Sequence, residues 1–368
     1  MADEGLEAAR ARIDAIDREI LRLINERAAV AQQVAEIKAA TVPDAERGEL
    51  NFYRPEREAQ VLRRLRDDNP GPLDGDTVMR LFRELMSACL ALERPLAVAY
   101  LGPAGTYTQA AVVKHFGQAV KARPVTAIDE IFREVEAGLA DYGVVPVENS
   151  TEGVVSHTLD LFVASPLKIC GEVTLPIHHH LLSGSARLAD VRRVYAHAQS
   201  FAQARKWLDS KLANVERQAV SSNAEAARIV ADEAGAAAIA GKAAAQLYGL
   251  QVLASNIEDD PGNTTRFLVI GCDSVPPSGD DLTSLLLSSP HARTRPGALY
   301  SLLLPFADAG VNLTRIESRP TRRMNWDYHF FIDLEGHAED AGVRRALERI
   351  EGTGAMVKIL GSYPRAAR

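Results

Sequence analysis

Residues 13–38 read IDAIDREILRLINERAAVAQQVAEIK, and their periodicity decides the first part of the fold. Apolar side chains recur at Ile13, Ile16, Ile20, Leu23, Val30, Val34 and Ile37. These alternating three- and four-residue steps form the seam of a helix packed against other helices. The step between Leu23 and Val30 falls on Arg27. A guanidinium cannot lose its charge, so burying it without a partner is very costly. Arg27 therefore calls for an acidic side chain or an anionic ligand. The second choice makes the interior of a helical module a binding site for a small acid.

Outward from this stretch, residues 6–94 read as helix throughout. The first helix is expected to run to Ala40, followed by a polar stretch with Pro43 and Gly48. A second starts near Pro55 and ends at Asn69-Pro70-Gly71-Pro72. A third begins at Gly75-Asp76-Thr77, with Asp76 as N-cap, and runs to Glu93. A helix of over about thirty residues has too little chain around it here for a monomeric core, so its seam predicts a partner protomer.

From Leu96 short apolar runs (LAVAY, YGVVPV, LKICGEVTL, RFLVI) alternate with helical windows at 107–116, 128–138, 199–212 and 222–233. That texture predicts an α/β module with a largely parallel sheet, long enough for two lobes with a cleft between them. Gly271 to Asp281 reads as a linker. Beyond it the order strand, helix, strand, strand, helix, strand is the ferredoxin-like α+β layout. The expected domains are 1–95, 96–275 and 276–368.

Composition narrows the function. Of the 368 residues, 46% are hydrophobic and 25% charged, as in ordinary globular protein. The net charge of −7 comes without a basic block, which argues against nucleic acid as partner. No apolar run reaches the roughly 18 residues of a membrane span, and the start does not read as a signal peptide. Three scattered cysteines, Cys89, Cys170 and Cys272, predict a reduced, cytoplasmic protein without a disulfide framework or zinc motif.

The first helix carries three cations of interest. At about 100° per residue, Arg27 and Lys38 fall within roughly 20° of each other, while Arg10 lies about 100° away. Arg27 and Lys38 can serve one pocket, and Arg10 faces elsewhere. Arg10 before IDAID, Arg27 in NERAAVAQQV, Lys38, and YRPERE with Arg57 and Glu58 together resemble the all-helical chorismate mutase domain. The resemblance implies that Arg27, with Arg10 from the partner chain, binds the carboxylates of chorismate. It places Lys38 by the ether oxygen and Glu58 by the ring hydroxyl, with Arg57 beside them. A pericyclic rearrangement needs no nucleophile; it needs a compact substrate and charge stabilisation at the breaking ether bond. Glu93 stands opposite Lys38 where some family members have glutamine. Only its protonated form can donate to the ether oxygen, so mutase activity is expected to fall as pH rises through its pKa.

Four motifs mark the α/β module. Leu101-Gly102-Pro103-Ala104-Gly105-Thr106-Tyr107-Thr108 follows a strand and opens a helix, an anion site of backbone N–H groups without the dinucleotide GxGxxG pattern. Val145-Pro146-Val147-Glu148-Asn149-Ser150-Thr151-Glu152-Gly153 ends a strand. Ser221-Ser222-Asn223-Ala224 is another strand-to-helix turn, and Asn263-Thr264-Thr265-Arg266-Phe267 leads into a strand. In this order they resemble prephenate dehydratase over about 97–271. The resemblance implies a two-lobed fold like the periplasmic binding proteins, with the active site in the cleft. It makes Thr265 the catalytic donor, and Thr106, Glu148, Asn149, Ser150, Gln199, Gln203 and Arg266 substrate-binding. Ala196 replaces a serine of some relatives. His178, His179 and His180 lie in LPIHHHLL, which reads as a strand. Alternation then leaves at most His178 and His180 on one face, so no metal is expected. His179 matches a recurrent family histidine.

Arg295-Pro296-Gly297-Ala298-Leu299 and Asn312-Leu313-Thr314-Arg315-Ile316-Glu317-Ser318-Arg319-Pro320 resemble the Gly-Ala-Leu and Glu-Ser-Arg-Pro motifs of ACT domains, over about 283–363. This implies paired domains binding phenylalanine as feedback inhibitor through Gly297, Ala298, Leu299, Asn312, Leu313, Glu317 and Ser318. Together the resemblances imply a bifunctional chorismate mutase/prephenate dehydratase, a homodimer or higher oligomer, acting on chorismate and prephenate without a cofactor. A mutase joined to a dehydrogenase would need the missing dinucleotide motif. A catalytically dead amino-acid sensor would not need Arg27, Lys38, Glu58 and Thr265. A dehydratase whose helical domain mainly dimerises is the narrower alternative.

Overall fold

The computed structural model describes residues 2–40, 53–184, 187–288, 296–321 and 328–366. The stretch with Pro43 and Gly48, and Arg295, lie outside them. The chain divides into a helical unit of residues 1–54, 61–96 and 116–121 and a larger unit with the rest.

In the helical unit α1 (Ala2–Ala40) packs along α3 (Gly75–Glu93). Helix α2 (Pro55–Asp67), whose residues 55–60 count with the larger unit, opens on a proline at its first turn. The N-cap of α3 is Asp74, not Asp76. Its carboxylate accepts from Thr77 N and from Thr77 Oγ1, both at 2.8 Å. A cap must be extended while its side chain turns back on the first free N–H groups; Asp74 is (ψ 155°), and Asp76 is already helical. The apolar seam of α1 is exposed in the single chain, Val30 at 51% and Ile37 at 64%.

The larger unit begins with two lobes. The first holds β1 (Ala97–Leu101), α4 (Tyr107–Phe116), β2 (Lys121–Val125), α5 (Ile128–Glu136), β3 (Tyr142–Asn149), β4 (Gly153–Val154), α6 (Ser156–Ala164) and β5 (Lys168–Pro176). The chain then builds the second lobe from β6 (His180–Ser183), β7 (Arg193–His197), α7 (Ala198–Gln203), α8 (Arg205–Lys211), β8 (Glu216–Val220), α9 (Asn223–Asp232), β9 (Ala236–Ala240), α10 (Lys242–Tyr248) and β10 (Gln251–Ala254). β11 (Thr264–Gly271) returns to the first sheet, giving the order β2-β1-β3-β11-β5; the second sheet runs β10-β6-β9-β7-β8.

Neither sheet is largely parallel. β11 is antiparallel to both β3 and β5, β6 is antiparallel to β9, and β10 to β6. Strands buried on both faces read as unbroken apolar runs whichever way they point, so direction is invisible in the run itself. LPIHHHLL is also not one strand: His178 and His179 lie between β5 and β6, and His180 starts β6.

The C-terminal part is β12 (Asp281–Ser288), α11 (Ala298–Asp308), β13 (Leu313–Pro320), β14 (Tyr328–Glu335), α12 (Ala341–Glu351) and β15 (Met356–Pro364), an antiparallel sheet of order β13-β14-β12-β15. One face packs Leu285, Leu287 and Ile332 against Phe306 and Ile350 of the helices. The other places Leu286, Phe331, Leu360 and Tyr363 in one core with Ile169, Leu268 and Ile270 of the first lobe. Gly361 lets β15 reach the backbone of Ile169; a side chain there would collide. The 271–281 stretch is no loose linker either. Val275 and Ser278 are buried, and the Val275 carbonyl accepts from His337 Nε2 at 2.9 Å.

Candidate active site

A cavity of about 970 Å³ opens between the two lobes. The first lobe lines it with the turn from β1 into α4, with Asn149 and Glu152 at the end of β3, and with Asn263 and Thr265 at the start of β11. The second lobe adds His197, Gln199, Ser200 and Gln203 around α7, and Ser222 and Asn223 opening α9. Gly105, at φ +88°, turns the chain into α4 and comes close to the backbone of Ala244 in the other lobe, where a Cβ would crowd it. Among the described residues the cavity lining contains no lysine or arginine. A dianion entering it meets hydroxyls, amides and the N-terminal N–H groups of α4 and α9, beside the carboxyl groups of Glu152 and Glu225.

Five expected residues meet here: Thr106, Asn149, Gln199, Gln203 and Thr265. Three do not. Thr265 pairs in register with Asn149, and Arg266 with Glu148. Successive side chains leave a strand on opposite faces, so the first pair faces the cleft and the second faces away. Arg266 is half-buried against the C-terminal sheet, its guanidinium on Glu172 at 2.8 Å, on Asp333, and on Tyr363 Oη at 3.0 Å. Desolvation works against its charge, but these oxygens prevail and its pKa is raised. Glu148 pairs with Arg315 of β13 at 2.9 Å. Ser150 is exposed on the turn, its Oγ accepting from Thr264 N at 2.9 Å.

Sequence reasoning missed Asn263, although its two-residue offset from Thr265 puts both on one face of an extended strand. His179, expected from the family match to be structural or cleft-lining, does line the cavity. That imidazole is buried, which lowers its pKa and keeps it neutral. Its Nε2 lies 2.8 Å from Gln203 Oε1 and its Nδ1 3.0 Å from Tyr107 Oη, which donates to the His178 carbonyl at 2.8 Å. Burial opposes the charge of Glu258, but the His178 ring (2.8 Å) and the His179 N–H (2.8 Å) hold its pKa below the usual range. His178 and His180 line a separate cavity of about 390 Å³.

In the helical unit Arg10 is exposed, while Arg27, Lys38 and Glu93 are half-buried. Burial raises the pKa of Glu93, and the neighbouring Lys38 charge opposes that rise. On α2, Arg57 is exposed and Glu58 half-buried. In the C-terminal sheet Gly297 precedes α11 at φ +79°, Ala298 is buried and Leu299 exposed. Asn312 is exposed, and its carbonyl accepts from Glu335 N at 2.9 Å. Leu313 begins β13, an edge strand. Along it the half-buried Glu317 shares a face with Arg315 and Arg319, while Ser318 is exposed on the other.

Residues 9–94 match the chorismate mutase type II family, 98–275 prephenate dehydratase, and 289–352 the ACT domain. A bifunctional chorismate mutase/prephenate dehydratase from Stutzerimonas stutzeri is 58% identical, covering 98% of each chain. A protein of the same name from Pseudomonas aeruginosa is 56% identical over 100% of both. A prephenate dehydratase from Arthrobacter aurescens, solved in complex with L-Phe, superposes with a TM-score of 0.67 at 38% identity, covering 74% of this chain and 90% of that one. With three family matches in this order and relatives alike from end to end, the chain belongs to the bifunctional chorismate mutase/prephenate dehydratase family.

Proposed function

We propose that this chain rearranges chorismate to prephenate, converts prephenate to phenylpyruvate, and is inhibited by phenylalanine. The three activities are placed in domains 1–95, 96–275 and 276–368. The observation that carries the dehydratase reading is Thr265 at the cleft, beside Asn149, Gln203 and Asn263 and, among the described residues, no lysine or arginine. In the reaction the ring carboxylate leaves as CO2, and its bonding pair moves through the ring. The ring hydroxyl departs, takes up a proton and becomes water. Aromatisation drives the step, so a hydroxyl donor at the departing oxygen and firm positioning suffice. Among the described residues no fixed cation lines the cleft to hold back the carboxylate that must lose its charge.

In the mutase, Arg27 and Arg10 bind the substrate carboxylates, with Arg57 beside them; Lys38 and protonated Glu93 donate to the ether oxygen, and Glu58 meets the ring hydroxyl. Arg10 lies about 25 Å along α1 from Arg27 at 1.5 Å per residue, so it serves the pocket of a second copy. The exposed seam of α1 supports that homodimer. For phenylalanine, the support is the L-Phe complex of the Arthrobacter relative and the glycine-led start of α11, which offers N–H groups to a carboxylate. The ligand's other contacts are Ala298, Leu299, Asn312, Leu313, Glu317 and Ser318. No helix among the described residues is long and apolar enough to cross a membrane, and the chain works in the cytoplasm on this reading. A coupled assay from chorismate to phenylpyruvate, with and without phenylalanine, tests all three parts. Absence of phenylpyruvate, or a rate indifferent to phenylalanine, would overturn the corresponding part. The exposed seam also suits a helical domain that only dimerises; failure to form prephenate would favour that reading.

A further inference from the structure

A threonine that assists a departing hydroxyl must present its proton, not its lone pairs. We infer that Asn149 and Asn263 act as positioning residues that set this direction for Thr265, an inference that rests on the donor role proposed above. A threonine hydroxyl has one proton and two lone pairs and rotates to suit its neighbours. Here the neighbour cannot rotate. Asn149 Oδ1 accepts the main-chain N–H groups of Thr151 and Glu152, each at 3.0 Å. Backbone N–H groups only donate, so these bonds settle which end of the amide is oxygen. Its NH2 must face the other way, where it donates to Thr265 Oγ1 at 2.8 Å and to Asn263 Oδ1 at 2.8 Å.

The opposite end of the chain of amides gives the same polarity independently. Gln203 donates through Nε2 to the carboxylate of Glu152 at 3.3 Å, and a carboxylate only accepts. Gln203 Oε1 therefore faces Asn263, whose Nδ2 donates to it at 3.3 Å. That leaves Asn263 Oδ1 toward Asn149. Asn263 is 2% exposed. Thr265 Oγ1 thus accepts from the protein, and its own proton has no acceptor among the described residues. That proton is left for the cleft. Accepting a bond also polarises the O–H and makes it a better donor. Because Gln203 belongs to the second lobe, the direction of the Thr265 proton is braced from both sides of the cleft.

Asn149→Asp tests this directly. It keeps the acceptor for the N–H groups of residues 151 and 152, but replaces the donating NH2 with a second acceptor that captures the Thr265 proton. The full-length variant should lose dehydratase kcat by about 10²–10⁴-fold, as Thr265→Ala should. The double variant should be no slower than the slower single one, because both remove the same donation. Asn263→Leu, which removes the brace but leaves Asn149 in its turn, should lower kcat by roughly tenfold, and cost nothing further in the Thr265→Ala background. Losses that multiply in the double variants would overturn the inference, as would an Asn149→Asp enzyme with near-normal kcat. A near-normal rate in Thr265→Ala alone would instead remove the donor role itself. An unchanged urea midpoint for the larger unit reports that the variant lobes are folded.

Discussion

Glu93 is the residue on whose protonation the mutase reading turns. Burial raises its pKa and Lys38 restrains that rise. The donating form is the protonated one, so activity is present below the pKa and lost as pH rises through it. A kcat/KM profile should therefore fall toward alkaline pH, and Glu93→Gln, which donates at any pH, should flatten it. An unchanged acid-favouring profile in that variant would exclude Glu93 as the titrating group. Thr265 has no such switch, since a hydroxyl stays protonated through the working range. Thr265→Ala should lower dehydratase kcat at least about 100-fold and leave KM within a few-fold, as read from steady-state kinetics.

At the scale of elements, β3 and β11 present one face to the cleft and the other to the C-terminal sheet. Arg266 shows what the second face does. Replacing it with Met removes one cation and strands the carboxylates of Glu172 and Asp333, both largely buried. That should destabilise the larger unit by about 3–5 kcal/mol, measurable as a lower urea midpoint, because an uncompensated buried charge costs more than a missing contact. A midpoint unchanged by Arg266→Met would mean that the network contributes little. The start of α11 yields a second expectation. Gly297 holds φ +79°, a conformation poorly suited to a β-branched residue. Gly297→Val should weaken phenylalanine inhibition by roughly tenfold or more while basal dehydratase turnover persists, measured as the phenylalanine concentration for half-inhibition.

For the whole molecule, the seam of α1 implies an assembly. Ile16→Glu would put a carboxylate in the middle of the apolar strip without touching the dehydratase cleft. Sedimentation should then show a smaller particle, with mutase activity lost and dehydratase activity retained. Retained mutase activity in a monomer would refute the shared pocket. The seam itself was legible because helical periodicity is a local property, and so were the Glu-Ser-Arg-Pro strand and the turn into α4. Asp76 was mistaken for the cap because Asp74 and Asp76 differ only in backbone conformation. Strand direction in the lobes was not legible, nor was the packing of residues 271–281. The sequence alone determined the three modules, the order of their elements and the residue types brought to each site, since those follow from short-range pattern and chemistry. Tertiary structure alone decided that Thr265, Asn149 and Asn263 share the cleft while Arg266 and Glu148 turn their backs to it. The facing of a strand depends on register with β3 and on which face the C-terminal sheet covers, and both are set by partners far away in the chain.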